Sequence, residues 1–444
     1  MKKVLVLGAG LVSKPLVDYL LNVPDISVTV ASRTASKAEA LIGRYPNGRA
    51  LSLDVNDEGA TEELVSSHDL TVSLLPYIHH VKVAKMCIKH KKHMATTSYV
   101  SPAMKELDGE AKLAGITLLN EIGVDPGIDH MSAMRVIHDV ERRGGKVVSF
   151  QSYCGGLPAP EANDNPFGYK FSWSPRGVLL AGKNSAKYME DGKIIEIDGK
   201  DLFDNFWTLE VPDIGLLEGY PNRDCLGYIE LYGLKHVRTM FRGTLRNIGW
   251  CSIIKKFVEI GLLEESVNLA YKGMTYARFI ALVSGITETQ SVKSSVARKL
   301  GLEEDSPEIN SMEWLGLFSD EKIPDGVNPA PIDIMTDLML RKMSYAPGER
   351  DMLVLYHMFE AEFDDHIEDI TSTMIDFGIP NGDSSMARTV SLPCAIGVRM
   401  ILEGKITNRG VIVPVTPDIY KPVLKELENF NIICKEQAQL FPTV

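Results

Sequence analysis

The sequence predicts an α/β protein: a doubly wound parallel sheet, followed by a second, mixed-sheet α/β domain that carries an inserted all-helical domain. Three observations support this fold class. The chain starts with a continuous apolar run, residues 4–7, that ends at a glycine-containing loop. Short apolar segments then alternate with helical patterns up to residue 128. From residue 146 strand-like stretches replace that alternation, with a helical block over residues 249–343.

Strand and helix segments of the first 128 residues alternate as a parallel sheet with helical crossovers requires. Six apolar runs are predicted as strands: residues 4–7, 26–31, 49–55, 70–75, 93–99 and 116–122. Segments with apolar residues at helical spacing lie between them: residues 16–21, 36–45, 58–66, 81–90 and 101–114. Strands joined in this way form a Rossmann-type sheet with helices on both faces.

The loop after the first strand has the features of a turn that binds a dinucleotide pyrophosphate. Its first glycine allows a turn that few side chains could follow, and its second lets phosphates approach the backbone without a Cβ in the way. The helix expected to begin near Leu11 presents unpaired N–H groups. Ser13 stands where the fingerprint has a third glycine. A purely structural turn is the alternative, and the strand and helix on either side favour cofactor binding. The loop residues expected at the cofactor are Gly8, Gly10, Leu11, Val12, Ser13 and Lys14.

The end of the second strand indicates which cofactor binds. An NAD site usually has an acidic residue there for the ribose 2′-hydroxyl, whereas this chain has Ser32, Arg33 and Thr34. A guanidinium and two hydroxyls suit a 2′-phosphate, so the sequence favours NADP(H). The alternative is an arginine that is simply exposed on a loop.

Ligands of an open parallel sheet sit beyond the carboxyl ends of its strands. The strand ends therefore supply further candidates for contact with the cofactor. These are Asp54, Val55, Leu75, Thr97, Ser98, Val124, Asp125 and Pro126.

Three side chains at strand ends are candidates for acid–base chemistry: Tyr99, Asp125 and Cys154. Each has a structural alternative. Tyr99 would hydrogen-bond at a domain junction, Asp125 would cap the helix from Ile128 onward, and Cys154 would be buried packing.

Arginines in loops of the second domain are candidates for binding carboxylates, because a guanidinium pairs with a carboxylate through two hydrogen bonds. Arg223 lies in one such loop, and Arg246 ends the segment 242–246. Solvated surface arginines are the equally weighted alternative.

Composition excludes several function classes. The chain of 444 residues has a formal net charge of −12 and a pI near 5.4, which argues against binding nucleic acid. No apolar run approaches the ~18 residues that cross a bilayer, and the first strand leaves no room for a signal sequence. The expectation is a cytoplasmic protein with no membrane partner.

Cysteines and histidines give no sign of a metal site. The six cysteines lie far apart with no C-x-x-C pair, which indicates reduced thiols. The histidines at positions 79, 80, 90 and 93 sit among lysines, and a solvated helix face is the preferred interpretation.

Three domains follow from the changes in pattern. Residues 1–128 form the dinucleotide-binding domain, with C-terminal helices over about 390–444 packing back onto it. Residues 129–248 and 345–389 form a mixed α/β domain for substrate binding and dimerisation. Residues 249–344 form the inserted helical domain.

Taken together, these motifs resemble the saccharopine reductases, the NADP-dependent, L-glutamate-forming saccharopine dehydrogenases of fungal lysine biosynthesis. The resemblance is carried by the segments 8–15, 32–34, 74–76, 120–127 and 242–246, and it extends over the whole chain. It implies that L-2-aminoadipate 6-semialdehyde condenses with L-glutamate to an imine, which NADPH reduces to saccharopine.

The resemblance also implies roles for individual residues. Saccharopine has three carboxylates, and the substrate contacts implied are Ser98, Tyr99, Asp125, Arg223, Thr244, Leu245 and Arg246. Asp125, Cys154 and Tyr99 are placed near the protons that move on and off the carbinolamine. No metal is implied.

Two other functions remain open at this point. A related carboxynorspermidine or homospermidine synthase would use the same cofactor on a polyamine, and an NADP-binding regulator would have no turnover. A homodimer formed through the mixed sheet is expected.

Overall fold

The computed structural model describes residues 1–287 and 291–442 of the chain. These residues form two compact units, one of Met1–Val147 with Ala361–Val444 and one of Val148–Glu360. The division into three domains stays a prediction.

The first segment of the chain alternates between strands and helices. Its strands are β1 (Lys2–Leu7), β2 (Ile26–Ser32), β3 (Gly48–Ser52), β4 (Leu70–Ser73), β5 (His93–Ala95) and β6 (Thr117–Leu119). Its helices are α1 (Lys14–Leu21), α2 (Ala35–Ile42), α3 (Glu58–Ser67), α4 (His80–Lys89), α5 (Pro102–Lys105), α6 (Asp108–Ala114) and α7 (Ile128–Arg142).

The rest of the chain adds a second set of strands and a block of helices. The strands are β7 (Lys146–Pro158), β8 (Ala186–Glu190), β9 (Lys193–Ile197), β10 (Trp207–Val211), β11 (Gly215–Pro221), β12 (Thr239–Arg246), β13 (Asp351–Glu362), β14 (His366–Phe377), β15 (Gly410–Ile412) and β16 (Lys435–Pro442). The helices are α8 (Pro175–Ala181), α9 (Gly227–Leu231), α10 (Trp250–Glu259), α11 (Tyr276–Val283), α12 (Val292–Leu300), α13 (Pro307–Leu315), α14 (Pro331–Lys342), α15 (Ser385–Leu402) and α16 (Pro417–Leu427).

The first unit contains the predicted doubly wound parallel sheet. Its strand order is β15-β6-β5-β4-β1-β2-β3, so the order reverses between β1 and β4, where such sheets bind their ligands. All six neighbouring strand pairs in this order are parallel. Val4, Leu5 and Val6 of β1 are fully buried, as expected for a central parallel strand covered on both faces.

Details of the first unit differ from the prediction. Helix α1 begins at Lys14 and not near Leu11, because Pro15 occupies the first turn, where a missing N–H leaves no carbonyl unpaired. The helix predicted over residues 101–114 is divided into α5 and α6. Asp108 at the start of α6 accepts a hydrogen bond from the Val411 N–H at 2.9 Å, which ties α6 to β15.

Helices α15 and α16 belong to this first unit, where α15 packs along α1 and α16 packs against α7 and α15. By length and hydropathy α15 alone among the described helices could span a membrane, and this corrects the expectation that no segment is apolar enough. In the structure 78% of that helix is buried, as is typical of a core helix.

The second unit contains strands β8 to β12 and nearly all of β7 and β13 from the predicted mixed sheet, together with the helical block. Strands β10, β11 and β12 are antiparallel, whereas β12 and β7 are parallel. Aromatic rings fill one face of this sheet, with Tyr153 and Trp207 both packed against Phe241 at 5.1 Å between ring centroids. Helices α10 to α14 lie between β12 and β13 in the chain. The predicted fold class is therefore confirmed.

Candidate functional site

The loop after β1 is built around a glycine that no other residue could replace without strain. Gly8 has a φ of +112°, and a Cβ at this position would lie 2.9 Å from the carbonyl oxygen of Leu74. Its N–H donates to the carbonyl of Ala31 at 2.9 Å. The loop is thus held close to the ends of β2 and β4 by its own main chain.

The rest of the glycine loop stays open on its outer side. A Cβ at Gly10 would meet no atom within 4 Å, and Leu11 is 69% exposed. Ser13 is fully buried, and its hydroxyl accepts a hydrogen bond from the Gly10 N–H at 3.0 Å. The serine in place of the third glycine therefore stabilises the loop through a buried hydrogen bond, and it does not block a ligand from the outer side of the backbone. This arrangement fits a pyrophosphate.

The end of β2 presents an arginine whose charge is available to a ligand. Arg33 and Thr34 are exposed, and within the described part of the chain Arg33 forms no ion pair. The carbonyl of Ser32 accepts from the Leu53 N–H at 3.0 Å. That bond brings the end of β3 beside this arginine, together with Asp54 and Val55. A free guanidinium here suits a 2′-phosphate, so the residues fit NADP(H).

The remaining predicted cofactor residues follow β4, β5 and β6 at the same edge of the sheet. The predicted residues there are Leu75, Thr97, Ser98, Val124, Asp125 and Pro126, with a cis peptide bond between the last two. The two later segments are in close contact, since a Cβ at Gly123 would lie 3.1 Å from the Cβ of Thr97. Every cofactor residue predicted from the sequence therefore lies at this edge. Their contacts with a cofactor stay predictions.

Two of the three predicted acid–base residues are joined in the first unit. The Tyr99 hydroxyl donates to Asp125 Oδ1 at 2.7 Å, and both side chains are partly exposed. The N-cap residue of α7 is Gly127, so Asp125 does not occupy the capping position considered as its structural alternative. A phenol bonded to a carboxylate can hold and move a proton at the surface of this unit.

A buried histidine holds the serine next to this pair. His80 is 4% exposed, and its Nδ1 and Nε2 are hydrogen-bonded to the hydroxyls of Ser73 and Ser98 at 2.9 and 2.8 Å. The interpretation of His80 as part of a solvated face is wrong. Its neighbours at helical spacing in α4, Val83, Ala84 and Cys87, are fully buried, and that spacing is the signal that places His80 inside.

Burial, with a smaller contribution from His79, lowers the pKa of His80 from 6.5 to about 4. The unfolded chain therefore binds this proton more tightly than the folded chain. We expect the free energy of unfolding to fall by about 3 kcal/mol between pH 7 and pH 4 because of this residue. Urea unfolding of the wild type and of His80→Gln across that range measures the difference. An equal pH dependence in the two proteins would contradict this account of His80.

In the second unit the structure places predicted substrate residues on adjacent strands. Cys154 of β7 and Thr244 of β12 are paired in register, and Leu245 and Arg246 follow Thr244. Arg223 is exposed in the loop after β11, with a φ of +59°. The segment 244–246 and Cys154 are therefore neighbours, as a common site requires.

Arg246 is a buried cation, and several hydrogen-bond donors around its guanidinium have no acceptor in the described structure. The residue is 4% exposed, and its guanidinium carbon lies 4.9 Å from the ring centre of Tyr169 and 5.4 Å from that of Trp250. One terminal nitrogen donates to the carbonyl of Leu245 at 2.7 Å. In the described structure no acceptor is bonded to Arg246 Nε, Trp250 Nε1 or the Tyr169 hydroxyl.

The carboxylate on the strand residue that pairs with Arg246 accepts its hydrogen bonds from other groups. Glu218 is the register partner of Arg246, but its two oxygens accept hydrogen bonds from the N–H groups of Gly249 and Cys251 at 2.7 and 2.8 Å. It thus satisfies the N-terminus of α10. Among the residues described, no carboxylate lies within 4.0 Å of Arg246. A buried positive charge without a counter-ion fits an anionic ligand group.

No group of three or more His, Cys, Asp or Glu side chains within the described ranges is placed to hold a metal ion. The two units thus each contain a candidate site: the first has a dinucleotide edge with a tyrosine–aspartate pair, and the second has a buried cation on the strand next to that of Cys154.

Two family models match the chain. The model described as "Saccharopine dehydrogenase NADP binding domain" matches residues 4–119, and the model described as "Saccharopine dehydrogenase C-terminal domain" matches residues 123–433. Together they cover the candidate sites of both units.

Curated proteins and solved structures agree with these matches. The chain is 44% identical to a saccharopine dehydrogenase [NADP(+), L-glutamate-forming] of Schizosaccharomyces pombe, over 98% of this chain and 99% of the relative. It resembles the structure of the apo saccharopine dehydrogenase (L-Glu forming) from Saccharomyces cerevisiae with a TM-score of 0.89 and 41% identity, over 99% and 100% of the two chains. A homospermidine synthase from Legionella pneumophila, with a TM-score of 0.57, 11% identity and coverage of 99% and 91%, shares the fold alone.

Proposed function

The chain belongs to the saccharopine dehydrogenase family, and on that premise we propose that it is an NADP-dependent, L-glutamate-forming saccharopine dehydrogenase of lysine biosynthesis. In the synthetic direction the amine of L-glutamate adds to the aldehyde carbon of L-2-aminoadipate 6-semialdehyde. The carbinolamine loses water to give an imine, and protonation of the imine nitrogen with hydride addition to its carbon gives saccharopine. The reverse reaction consumes water and NADP⁺.

The observation that carries this function in the structure is the buried guanidinium of Arg246. Saccharopine has three carboxylates, and a carboxylate placed here would neutralise the charge and accept from the unpaired nitrogens. The rings of Tyr169 and Trp250 lie 4.9 and 5.4 Å from the guanidinium carbon, and the side chain is buried, so a carboxylate here would meet a weakly hydrated cation. Arg223, exposed in its loop, is the second proposed carboxylate contact, together with the main chain of Thr244 and Leu245.

When bound, NADPH supplies the hydride. The chain's own residues hold the cofactor: the glycine loop receives the pyrophosphate, and Arg33 receives the 2′-phosphate. The segments after β5 and β6 are proposed to contact the nicotinamide end. Ser98, fixed by His80, is proposed to contact both the cofactor and the substrate.

Proton movement is assigned to Tyr99, Asp125 and Cys154. Loss of water from the carbinolamine requires a proton to be delivered to its oxygen and one to be removed from its nitrogen. The Tyr99 to Asp125 hydrogen bond provides one donor and one acceptor in fixed geometry. Cys154, in register with Thr244, is proposed to act beside the bound substrate.

Product analysis distinguishes the glutamate-forming reaction from the lysine-forming cleavage of saccharopine. We expect saccharopine and NADP⁺ to yield glutamate and the semialdehyde, identified by mass spectrometry. Lysine and 2-oxoglutarate as products would contradict the glutamate-forming assignment. A polyamine substrate, as in the homospermidine synthases, is not favoured, because its positive charge would be repelled by the buried Arg246.

We propose that the chain forms a homodimer through β16. This strand pairs with β14 on one side and, among the described residues, with no strand on the other; all eight of its residues are exposed, and Leu440 is 63% exposed. Sedimentation velocity should give twice the chain mass of 49.1 kDa. We expect Leu440→Asp to give a monomer, while Leu113→Asp, at a 91% exposed position of α6, leaves the dimer intact. A monomeric wild type would contradict the proposal.

We also propose a cytoplasmic location. All six cysteines are free thiols in the structure, as is usual in a reducing compartment. Immunoblotting of cell fractions tests this, and recovery of the protein in organelles alone would contradict it.

A further inference from the structure

A buried carboxylate that the proposed chemistry does not use lies beside the tyrosine–aspartate pair. Glu121 is 6% exposed and has a φ of +56°, a backbone conformation that residues other than glycine rarely adopt. Such a conformation costs roughly 1–3 kcal/mol and persists only where the surrounding structure holds it. Glu121 therefore occupies a position that its contacts must stabilise.

The hydrogen bonds of Glu121 hold the short turn of residues 98–100 at two main-chain groups. The Glu121 N–H donates to the carbonyl of Ser98 at 3.1 Å, and its Oε1 accepts from the N–H of Val100 at 2.7 Å. The residue between these two bonded groups is Tyr99. One residue, through its main chain and its side chain, thus sets the path of the turn that carries the tyrosine.

A histidine fixes the other oxygen of the same carboxylate. His130, in the first turn of α7, is fully buried, and its Nε2 lies 2.7 Å from Glu121 Oε2. When the Glu121 carboxyl group is ionised it only accepts hydrogen bonds, and this nitrogen then donates. The histidine thereby keeps Oε1 turned toward the Val100 N–H.

The Tyr99 hydroxyl is bonded to the same segment that holds its main chain. Asp125, which accepts from that hydroxyl at 2.7 Å, lies four residues after Glu121 in the same segment. Tyr99 is therefore held to the 121–125 segment at both of its ends, by its flanking main chain and by its hydroxyl. A displacement of the turn by 1 Å would break alignment of the pair, and displacements of this size cost on the order of 100-fold in rate.

We propose that Glu121, oriented by His130, is a positioning residue that aligns Tyr99 with Asp125 through the main chain of residues 98–100. The role rests on the proposed function, because it assigns the pair a part in catalysis. Glu121 itself contacts neither substrate nor cofactor in this scheme. Its effect reaches the reaction only through the turn.

Double-mutant kinetics of the full-length enzyme test this role. Tyr99→Phe and Glu121→Ala are each expected to lower kcat by about 10- to 100-fold while changing the Kd for NADPH less than about 3-fold. Combined, they should lower kcat little further than either alone, because both remove the same alignment. Glu121→Gln, which retains an acceptor for the Val100 N–H, should recover most of the rate and keeps the test possible if the alanine variant does not fold.

A second buried carboxylate of the same unit serves as the control. Glu368 is 3% exposed and pairs with Arg143 through two bonds of 2.7 Å, away from the 98–100 turn. Glu368→Ala should lower the melting temperature but keep wild-type kcat. Independent, multiplicative effects of Tyr99→Phe and Glu121→Ala, or wild-type kcat in Glu121→Ala, would overturn the role of Glu121 while the wild type still oxidises saccharopine. A wild type with no turnover would overturn the proposed function and this role with it.

Discussion

Arg246→Met is expected to raise the KM for saccharopine by about 30- to 4,000-fold and to raise the melting temperature of the ligand-free protein. The first effect follows because removing one partner of a buried, hydrogen-bonded charge pair costs about 2–5 kcal/mol. The second follows because Arg246 is 4% exposed and has no carboxylate within 4.0 Å in the described residues. In the free protein its desolvation is offset, within that part of the chain, only by the hydrogen bond to the Leu245 carbonyl and by the two aromatic contacts.

The sign of the stability change depends on two opposing contributions. Contacts of the guanidinium with Tyr169 and Trp250 are worth about 0.5–2 kcal/mol, whereas desolvation of an unpaired ion costs several kcal/mol. Methionine keeps an apolar contact with both rings, so the gain should prevail. Substrate affinity and apo-state stability are thus expected to change in opposite directions.

Steady-state kinetics and thermal unfolding on the same preparation measure both effects. Arg246→Lys, which keeps a charge but not the paired donors, should raise KM without raising the melting temperature. Arg176→Met is the matched control, since Arg176 is 41% exposed and ion-paired with Asp333. An unchanged KM in Arg246→Met would remove this residue from the substrate site.

Arg33→Ala is expected to weaken NADPH binding by about 10- to 100-fold and to leave NADH binding unchanged. A charged hydrogen bond to a phosphate is worth about 1.5–3 kcal/mol, and Arg33 is exposed at the end of β2 with no ion pair in the part of the chain that the structure describes. Fluorescence titration with each nucleotide gives the two Kd values directly.

A nearby arginine provides the control for this change. Arg44, just after α2, is also exposed and also forms no ion pair with a described residue, so Arg44→Ala removes an equal charge at another position of the same unit. Its effect on both nucleotides should be small and equal. Equal weakening of NADPH and NADH in Arg33→Ala would contradict recognition of the 2′-phosphate.

The parallel sheet could be predicted because its signals are local. The apolar run of β1 and the glycines after it report burial on both faces and a tight turn, and both are present in the structure. Strand β15 could not be predicted in this way. It has three residues and pairs with β6 from nearly 300 positions further along the chain.

The sequence identified the residues of the candidate sites, but it did not show which of them are buried or which groups they contact. The sequence proposed Arg223 and Arg246 equally, and the structure separates them, since one is exposed and the other is buried without a counter-ion. His80 had a local signal, its spacing from buried residues of α4, which the neighbouring lysines obscured. Glu121 had none, because its role depends on a turn more than twenty residues earlier.

The most direct test of the function is the absorbance at 340 nm when the purified protein meets saccharopine with NADP⁺, and separately with NAD⁺, at alkaline pH. Absorbance that grows with NADP⁺ and hardly at all with NAD⁺, with glutamate accumulating in step, is the predicted result. No signal with either cofactor, from protein that binds NADPH, would contradict the assignment of saccharopine as substrate.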